Sequence, residues 1–393
     1  MISKQIIKGK CVAISSEGKG IIKTVYGVIF VDALLLGEEA EIEVTYSRAG
    51  VSYGKIRKLL SFSQDRINPK CPISTSCGGC VFQNASYKYE LEYKTNKVKE
   101  DLIRIGHFKD IKDNPCIGME NPEHYRNKIQ VPFGKANHHV IYGFYKSNTH
   151  KIIPLKECNI EDTRAKDILS TFASLMEKYH VDPYDEDSRR GIIRHLLIRT
   201  SSLTDEVMVV IIASVDSFYN RSDLVKELTQ KHKNISSVIY NINKRDTNVI
   251  LGDKEKVLYG KNFIKDSILG LNFNVSSKSF FQVNPKQVEV LYSKALELAK
   301  LTKEDELLDA YSGVGTIGLL ASKYVKHVTS VEVVKEAVIN AKKNAEMNNI
   351  KNITLLEDDC TEFINRELPH YDVVIMDPPR KGSDERFMQT LES

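Results

Sequence analysis

The pattern of apolar and polar residues changes character twice along the chain, which predicts three domains. Residues 1–60 hold short runs rich in β-branched and aromatic residues between glycine-containing turns, a pattern typical of a small antiparallel β-barrel. Residues 61–280 mix helical and strand-like segments and predict an α+β domain with mostly antiparallel pairing. Residues 281–393 alternate helices and apolar strands, which predicts a parallel, Rossmann-like sheet and an overall α/β fold class.

Individual elements of the central domain follow from the spacing of its apolar residues. Residues 87–105 have apolar positions near helical spacing, with lysines on the other faces, and predict one long helix. Further helices are predicted for RAKDILSTFASLMEKY and RSDLVKELTQKH. Strands are predicted for KIQVPFG, HVIYGFY, HLLIRTS, EVMVVIIAS, SVIYNIN and TNVILG.

Composition restricts the class of protein. The chain has 393 residues, of which 41% are hydrophobic and 27% charged, enough for two or three domains with apolar cores. No run approaches the roughly 20 apolar residues of a membrane helix, and the first residues lack the features of a secretory signal. We therefore expect a cytoplasmic, monomeric protein with no membrane partner. The formal charge of +4 permits a nucleic-acid partner but is too weak to imply one.

The predicted barrel combines positive charge with aromatic residues. Residues 1–60 contain nine Lys or Arg against six Asp or Glu, and also Tyr26, Phe30, Tyr46 and Tyr53. Such a barrel can hold single-stranded nucleic acid by attracting phosphates and stacking bases. The alternative is that the aromatic residues simply form the core of the barrel.

Three cysteines lie close together in the stretch CPISTSCGGC, with the spacing C-x5-C-x2-C, and a fourth follows in LKECNIED: Cys71, Cys77, Cys80 and Cys158. An odd total of seven cysteines in a reducing compartment argues against a disulfide framework. Four thiolates suit zinc or an iron-sulfur cluster, and the single C-x2-C pair favours the cluster. A redox pair and ordinary buried cysteines remain as alternatives.

The second chemical signal is a glycine-rich loop in the last third of the chain. The segment ELLDAYSGVGTIGLLAS leads from a strand through Asp309 into Gly313, Gly315 and Gly318, matching G-x-G-x-x-G. This loop serves either a dinucleotide or S-adenosylmethionine. The next strand ends near Glu332, which is well placed to accept hydrogen bonds from both ribose hydroxyls.

Two later strand ends add carboxylates. One strand ends at Asp358 and Asp359, where a carboxylate could meet an adenine amino group. Another, YDVVIMDPPRKG, delivers Asp377 to its carboxyl end, and the two prolines that follow fix a rigid turn at the crevice where such sheets bind ligands. Many nucleic-acid methyltransferases have such a turn, whereas nicotinamide enzymes do not usually need one. The pattern therefore favours S-adenosylmethionine over the reading in which the prolines merely end a strand.

Taken together, these motifs resemble a known family over essentially the whole chain. The cysteine pattern, YRNKIQVPFG, GIIRHLLIR, SFFQVN, LLDAYSGVGTIGLL and MDPPRKG are similar to the bacterial 23S ribosomal RNA (uracil-5-)-methyltransferases, which carry an amino-terminal TRAM barrel and a 4Fe-4S cluster. The resemblance implies 23S rRNA as substrate, an RNA-binding barrel and a cluster in the central domain on Cys71, Cys77, Cys80 and Cys158. It also implies an S-adenosylmethionine site lined by Gln282, Tyr311, Glu332 and Asp377.

The reaction of this family requires a nucleophile. A cysteine thiolate adds to carbon 6 of uracil, carbon 5 takes the methyl group, and a base then removes the proton from carbon 5. The target base must also leave any stack, and Phe280 and Phe281 of SFFQVN offer aromatic faces for it, although two adjacent Phe residues are equally typical of a core.

The sequence departs from the family at this step. The family's nucleophilic cysteine and basic glutamate follow the Asp-Pro-Pro-Arg turn, but the sequence ends at Ser393, thirteen residues beyond Arg380, with neither residue present. Cys360 is a poor substitute because it falls on the adenine side. We therefore expect a methyltransferase domain that is incomplete at its carboxyl end and inactive by itself. The alternatives are a non-catalytic RNA-binding or chaperone protein and, less favoured, an amino-group methyltransferase.

Overall fold

The structure is a computed structural model that describes residues 5–112, 114–146, 149–367 and 371–392. The chain divides into two compact units. One comprises residues Met1–Pro122 and Phe144–Asn159, and the other comprises Glu123–Gly143 and Ile160–Ser393.

The first unit begins with a closed five-stranded barrel, as predicted. Its strands are ordered β1-β2-β3-β5-β4, with β4 paired back to β1, and only β3 and β5 run parallel. They are β1 (Ile6–Ile14), β2 (Gly20–Thr24), β3 (Gly27–Val31), β4 (Glu39–Arg48) and β5 (Val51–Leu59). The interior is aliphatic and includes Ile22, Ile29, Val31 and Ile42.

The aromatic residues of the barrel do not form its core, so that alternative is wrong. Tyr26, Tyr46 and Tyr53 are exposed and Phe30 is half-buried. Tyr53 on β5 lies opposite Phe30 on β3 and Tyr46 on β4, and its ring centroid is 5.6 Å and 6.2 Å from theirs. The barrel therefore presents a row of three aromatic rings on its outer surface.

The rest of the first unit contains α1 (Ser74–Cys77), α2 (Tyr87–Arg104) and the short strand β8 (Ile152–Pro154). The long helix predicted at 87–105 is confirmed as α2. It begins where the Ser86 side chain accepts a hydrogen bond from the amide of Tyr89, a normal helix cap. The hydroxyl of Tyr89 in turn accepts from the Leu36 amide at 3.0 Å, which links α2 to the barrel.

The second unit starts with a mostly antiparallel sheet, as predicted, in which only β10 and β11 run parallel. Its strands are ordered β12-β11-β10-β9-β6-β7. They are β6 (Lys128–Ala136), β7 (His139–Tyr145), β9 (Ile193–Thr200), β10 (Val207–Ala213), β11 (Ile235–Ile242) and β12 (Lys254–Gly260). The predicted helices are confirmed as α3 (Thr163–Lys178) and α4 (Arg221–Lys231), and Phe172 of α3 packs on Phe133 of β6.

One predicted strand, TNVILG, is wrong, and the sixth strand of the sheet is β12 instead. The side-chain amide of Asn243 donates to the carbonyls of Val249 and Ile250. Asn241 exchanges two hydrogen bonds with the backbone of Gly252. These side chains occupy backbone groups that a strand would use for its own ladder, so the apolar run forms a loop.

The last part of the second unit is the predicted parallel α/β domain. A hairpin of β13 (Phe263–Ile268) and β14 (Leu271–Ser276) precedes α5 (Pro285–Ala299). The sheet that follows is ordered β17-β16-β15-β18 and is parallel throughout. Its elements are β15 (Glu306–Ala310), α6 (Thr316–Ala321), β16 (His327–Glu332), α7 (Lys335–Met347), β17 (Ile353–Glu357), α8 (Cys360–Glu367), β18 (Val373–Met376) and α9 (Glu385–Glu392).

This strand order creates a topological switch point. After β15 the chain adds strands on one side of it, and then returns to place β18 on the other side. In open parallel sheets, ligands bind beyond the carboxyl ends of the strands on either side of such a point. The carboxyl ends of β15 and β18 are therefore where a site is expected. No helix within the described ranges is long and apolar enough to cross a membrane.

Candidate functional site

The crevice between β15 and β18 collects several predicted site residues. Ala310 ends β15 in register with Met376, the last residue of β18, so the residues that follow, Tyr311 and Asp377, lie at the same edge. The amide of Asp377 donates to the carbonyl of Ala310 at 3.4 Å, and the Asp377 side chain is exposed.

The three glycines of the loop after β15 have different physical reasons to be glycine. Gly313 has φ 58°, and a Cβ there would meet nothing within 4 Å, so its face is open to a ligand. A Cβ on Gly315 (φ 79°) would lie 3.1 Å from Ala341. A Cβ on Gly318 would lie 2.4 Å from Ser330 Oγ and 2.6 Å from Asp309 Oδ2. Gly313 thus permits close approach of a ligand, and Gly318 permits close packing of α6 on the sheet.

Asp309 is a buried carboxyl that holds this loop in place. Its Oδ2 accepts hydrogen bonds from the Gly318 amide at 2.9 Å and from Ser330 Oγ at 3.1 Å. Burial raises the pKa of Asp309 to about 7, and the charges of Asp377 and Glu332 push it in the same direction. Asp309 therefore positions the loop from behind and does not face the crevice as a free carboxylate.

Glu332 ends β16 with its carboxylate fixed by the backbone. Its Oε2 accepts from the Gly313 amide at 2.9 Å, and its Oε1 accepts from the Val334 amide at 2.8 Å. Each oxygen keeps a second lone pair, so the carboxylate can still accept from two neighbouring hydroxyls of a ligand. This arrangement is compatible with the ribose role predicted for Glu332, since the Gly313 amide joins its carboxylate to the glycine loop.

Tyr311 adopts a backbone conformation that is rare for a residue with a side chain. Its φ is 61°, a left-handed conformation that costs a residue with a Cβ some free energy. Its amide donates to Cys360 Sγ at 3.2 Å, and its ring lies 5.6 Å from that of Phe387. Burial raises the pKa of the Cys360 thiol to about 12, so this cysteine supports Tyr311 and is a poor nucleophile.

The side chains of the two aspartates after β17 both interact with residues of α8. Asp358 pairs with Arg366, and Asp359 Oδ1 accepts from the amides of Thr361 and Glu362 at the start of α8. Both aspartates thus have structural partners, although their position at the end of β17 is the one predicted for contact with adenine.

Gln282 lies in the segment 279–284, which forms hydrogen bonds with Asn127, the residue just before β6. The backbone of Asn127 donates to the Val283 carbonyl at 3.0 Å, and its side chain donates to the Gln282 carbonyl at 3.2 Å. The Gln282 side chain forms a hydrogen bond with the buried Tyr292 of α5, whose pKa burial raises to about 12. The charges of Asp377 and Asp309 push the pKa of Tyr292 in the same direction.

Comparisons with known proteins find relatives of this chain among RNA methyltransferases. Residues 86–392 match the family model described as tRNA (Uracil-5-)-methyltransferase. An uncharacterized RNA methyltransferase of Oceanobacillus iheyensis is 38% identical over 382 residues, covering 96% of this chain and 83% of that protein. One of Clostridium tetani is 39% identical over 379 residues, covering 96% and 82%.

The chain belongs to the RNA (uracil-5-)-methyltransferase family. A solved structure supports the fold of this methyltransferase. The tRNA (uracil-54, C5)-methyltransferase of Pyrococcus abyssi, in complex with S-adenosyl-L-homocysteine, is similar with a TM-score of 0.77 and 23% identity, covering 98% of this chain and 87% of that one. The predicted fold, a methyltransferase α/β domain with an amino-terminal barrel, is confirmed.

The two adjacent phenylalanines of this methyltransferase differ: one is a core residue and the other offers an aromatic face to solvent. Phe281 is buried, with its ring 5.9 Å from that of Phe273, and belongs to the core. Phe280 is 71% exposed and stands beside Gln282. Only Phe280 is therefore free to offer an aromatic face to a ligand.

All four cysteines predicted to bind a cluster fall in the first unit: Cys71, Cys77, Cys80 and Cys158. Burial raises the pKa of Cys80, a hydrogen bond with Gln83 opposes this shift, and the charges of Cys77 and Cys71 add to it. Gly78 follows α1 at φ 67° with open space around it, which turns the chain sharply between two of them. Within the described residues, no group of three or more His, Cys, Asp or Glu is arranged to hold a single metal ion.

Sequence reasoning missed several residues that build the site. Asn127 and Tyr292 position Gln282 from two different elements, and Cys360 supports Tyr311. The polar Asn127 at the start of an apolar strand was visible in the sequence, but its partner is 155 residues away. No local pattern could have paired them.

Proposed function

We propose that this protein uses S-adenosylmethionine to methylate carbon 5 of a uridine in 23S ribosomal RNA. The observation that carries the proposal is the Glu332 carboxylate. Two backbone amides fix it beside the open face of Gly313, in the same crevice as Asp377. Such a carboxylate suits the ribose of the donor, and the bare glycine lets the rest of the donor approach the backbone.

In this proposal the donor contacts Gln282, Tyr311, Glu332 and Asp377. Glu332 would accept from the ribose, while Asp377 and the Gln282 amide, which is hydrogen-bonded to Tyr292, would contact the methionine part and the target base. Phe280, exposed beside Gln282, stacks on the uracil after it has left the RNA stack.

The proposal takes ribosomal RNA as the substrate because of the motifs of the first unit. The matching family model and the Pyrococcus abyssi enzyme are both named for tRNA. The barrel and the cysteine pattern of this chain, however, resemble those of the ribosomal RNA enzymes. The row of Phe30, Tyr53 and Tyr46 gives the barrel exposed rings on which RNA bases can stack.

The proposal also places a 4Fe-4S cluster on Cys71, Cys77, Cys80 and Cys158. The electrostatic effect of Cys77 and Cys71 on Cys80 and the open turn at Gly78 support a cluster, which separates its thiolates more widely than one metal ion does. When bound, the cluster would crosslink distant parts of the chain. Its role here would be structural support.

We expect anaerobically purified protein to be brown, to absorb at roughly 400 nm and to contain about four iron atoms per chain. Cys80→Ala should lose most of this iron, because three thiolates hold a cluster poorly. Cys116→Ala is the matched control, since Cys116 is also half-buried but lies outside the pattern. Colourless protein containing zinc instead of iron would refute the cluster.

The experiment that tests the function measures transfer of a tritiated methyl group from S-adenosylmethionine to a 23S rRNA transcript, with bulk tRNA in parallel. The assay uses the 393-residue chain and, in parallel, a version extended to the length of its relatives, of which the chain covers 83% and 82%. Formation of 5-methyluridine in 23S rRNA is the expected result, and the two versions together show whether residues 1–393 suffice for transfer. Labelling of tRNA alone, or of an amino group, would refute the proposed substrate or reaction.

A further inference from the structure

Three positive side chains converge where two strands of the central sheet meet. Lys128 on β6 and Arg199 on β9 are direct partners in the antiparallel ladder, so their side chains leave the same face of the sheet. Arg126 lies two residues before Lys128, and its Nε donates to the Lys128 carbonyl at 3.0 Å. We refer to Arg126, Lys128 and Arg199 as the cationic cluster.

No carboxylate within the described ranges forms an ion pair with the cationic cluster. Only burial and the neighbouring arginines act on the pKa of Lys128, and only burial acts on that of Arg199. Lys128 is half-buried, and burial together with the charges of Arg199 and Arg126 lowers its pKa to about 8. Like charges directly opposite one another in a sheet are destabilising, so this arrangement costs stability when nothing is bound.

Arg199 is buried and one of its hydrogen-bond donors lacks an acceptor among the described residues. It is only 5% exposed, and one of its terminal nitrogens donates to the Ser279 carbonyl at 2.6 Å. Its Nε is buried and has no acceptor among the described residues. A buried donor without an acceptor is costly, and here it lies within a group of uncompensated cations.

The cluster borders the segment that carries the exposed Phe280. Arg199 holds this segment through Ser279, and Asn127, the neighbour of Lys128, holds it through Gln282 and Val283. The cations therefore lie beside the place where the proposed function puts the target uridine.

We propose that the cationic cluster binds a backbone phosphate of the substrate RNA next to the methylated nucleotide. Lys128 and Arg126 would contact the phosphate, while the buried Arg199 anchors the segment and adds its charge. This inference rests on the proposed function. A phosphodiester suits the cluster better than the carboxylate of the methyl donor does, because the donor carries its own ammonium and sulfonium charges, which three cations would repel.

The test measures binding of a labelled 23S rRNA transcript over a range of salt concentrations, using Lys128→Gln, Lys128→Arg and the control Lys226→Gln on the exposed side of α4. Each phosphate contact contributes about 0.7 to 0.9 to the slope of log K against log salt. Lys128→Gln should lower the slope by about that amount and weaken binding roughly three- to thirty-fold at physiological salt. Lys128→Arg should restore both, and Lys226→Gln should change neither.

Two further measurements separate the possible outcomes. Affinity for S-adenosylhomocysteine should be equal in all variants, and thermal unfolding of Lys128→Gln should be unchanged or shifted upward because a repelled charge is removed. An unchanged salt slope, a drop in donor affinity instead, or a clear loss of stability would each overturn the phosphate site. If the slope changes as expected but no uridine is methylated in the transfer assay, the site stands and the proposed function fails.

Discussion

Gly318→Ala is expected to destabilise the methyltransferase domain by about 3 kcal/mol and to abolish donor binding at ordinary concentrations. The added Cβ would lie 2.4 Å from Ser330 Oγ and 2.6 Å from Asp309 Oδ2, closer than any real contact. Helix α6 would have to move away from the sheet, which would also break the hydrogen bond from the Gly318 amide to Asp309. Chemical denaturation and calorimetric titration with S-adenosylhomocysteine measure the two effects.

Gly313→Ala is the matched control for this steric argument. Its φ of 58° makes a side chain unfavourable by roughly 1–2 kcal/mol, but the Cβ would meet no protein atom within 4 Å. Ser330→Ala should partly rescue Gly318→Ala, because it removes the atom closest to the new methyl group. Equal loss of stability in the two glycine variants, or no rescue, would contradict the packing role assigned to Gly318.

The fold was predictable wherever local pattern decides structure. Alternating helices and apolar strands identified the parallel sheet, and short β-branched runs between turns identified the barrel. TNVILG failed because Asn241 and Asn243, in the preceding strand and just after it, take up its backbone groups. Such side-chain competition leaves no trace in the hydrophobic pattern of the segment itself.

The motifs of the site were predictable from the sequence, but the distant residues that hold those motifs in place were not. The glycine loop and Glu332 belong to one continuous stretch of chain, so their spacing alone brings them together. The contact between Asn127 and the segment of Gln282, and the pairing of Lys128 with Arg199, join residues far apart in sequence. Those contacts depend on the register between strands, which cannot be predicted from a single sequence.

Glu332→Ala is expected to weaken binding of S-adenosylhomocysteine about 100-fold. Hydrogen bonds to a charged group contribute about 1.5–3 kcal/mol each, and two ribose hydroxyls would lose their acceptor while water recovers part of the energy. The amides of Gly313 and Val334 would lose the same carboxylate, so the loop would also be held less firmly. Glu332→Gln keeps one acceptor oxygen and should lose about ten-fold.

Glu336→Ala separates this specific contact from a general loss of negative charge. Glu336 is an exposed carboxylate in the first turn of α7, four residues after Glu332, and should leave donor affinity unchanged when replaced. Glu332→Ala also removes the acceptor of the Gly313 and Val334 amides, so its effect on stability is measured separately by thermal unfolding, at a temperature well above that of the binding titration. Affinity within about three-fold of the unmodified protein would mean that the ribose lies elsewhere, and would remove the main support for the donor site.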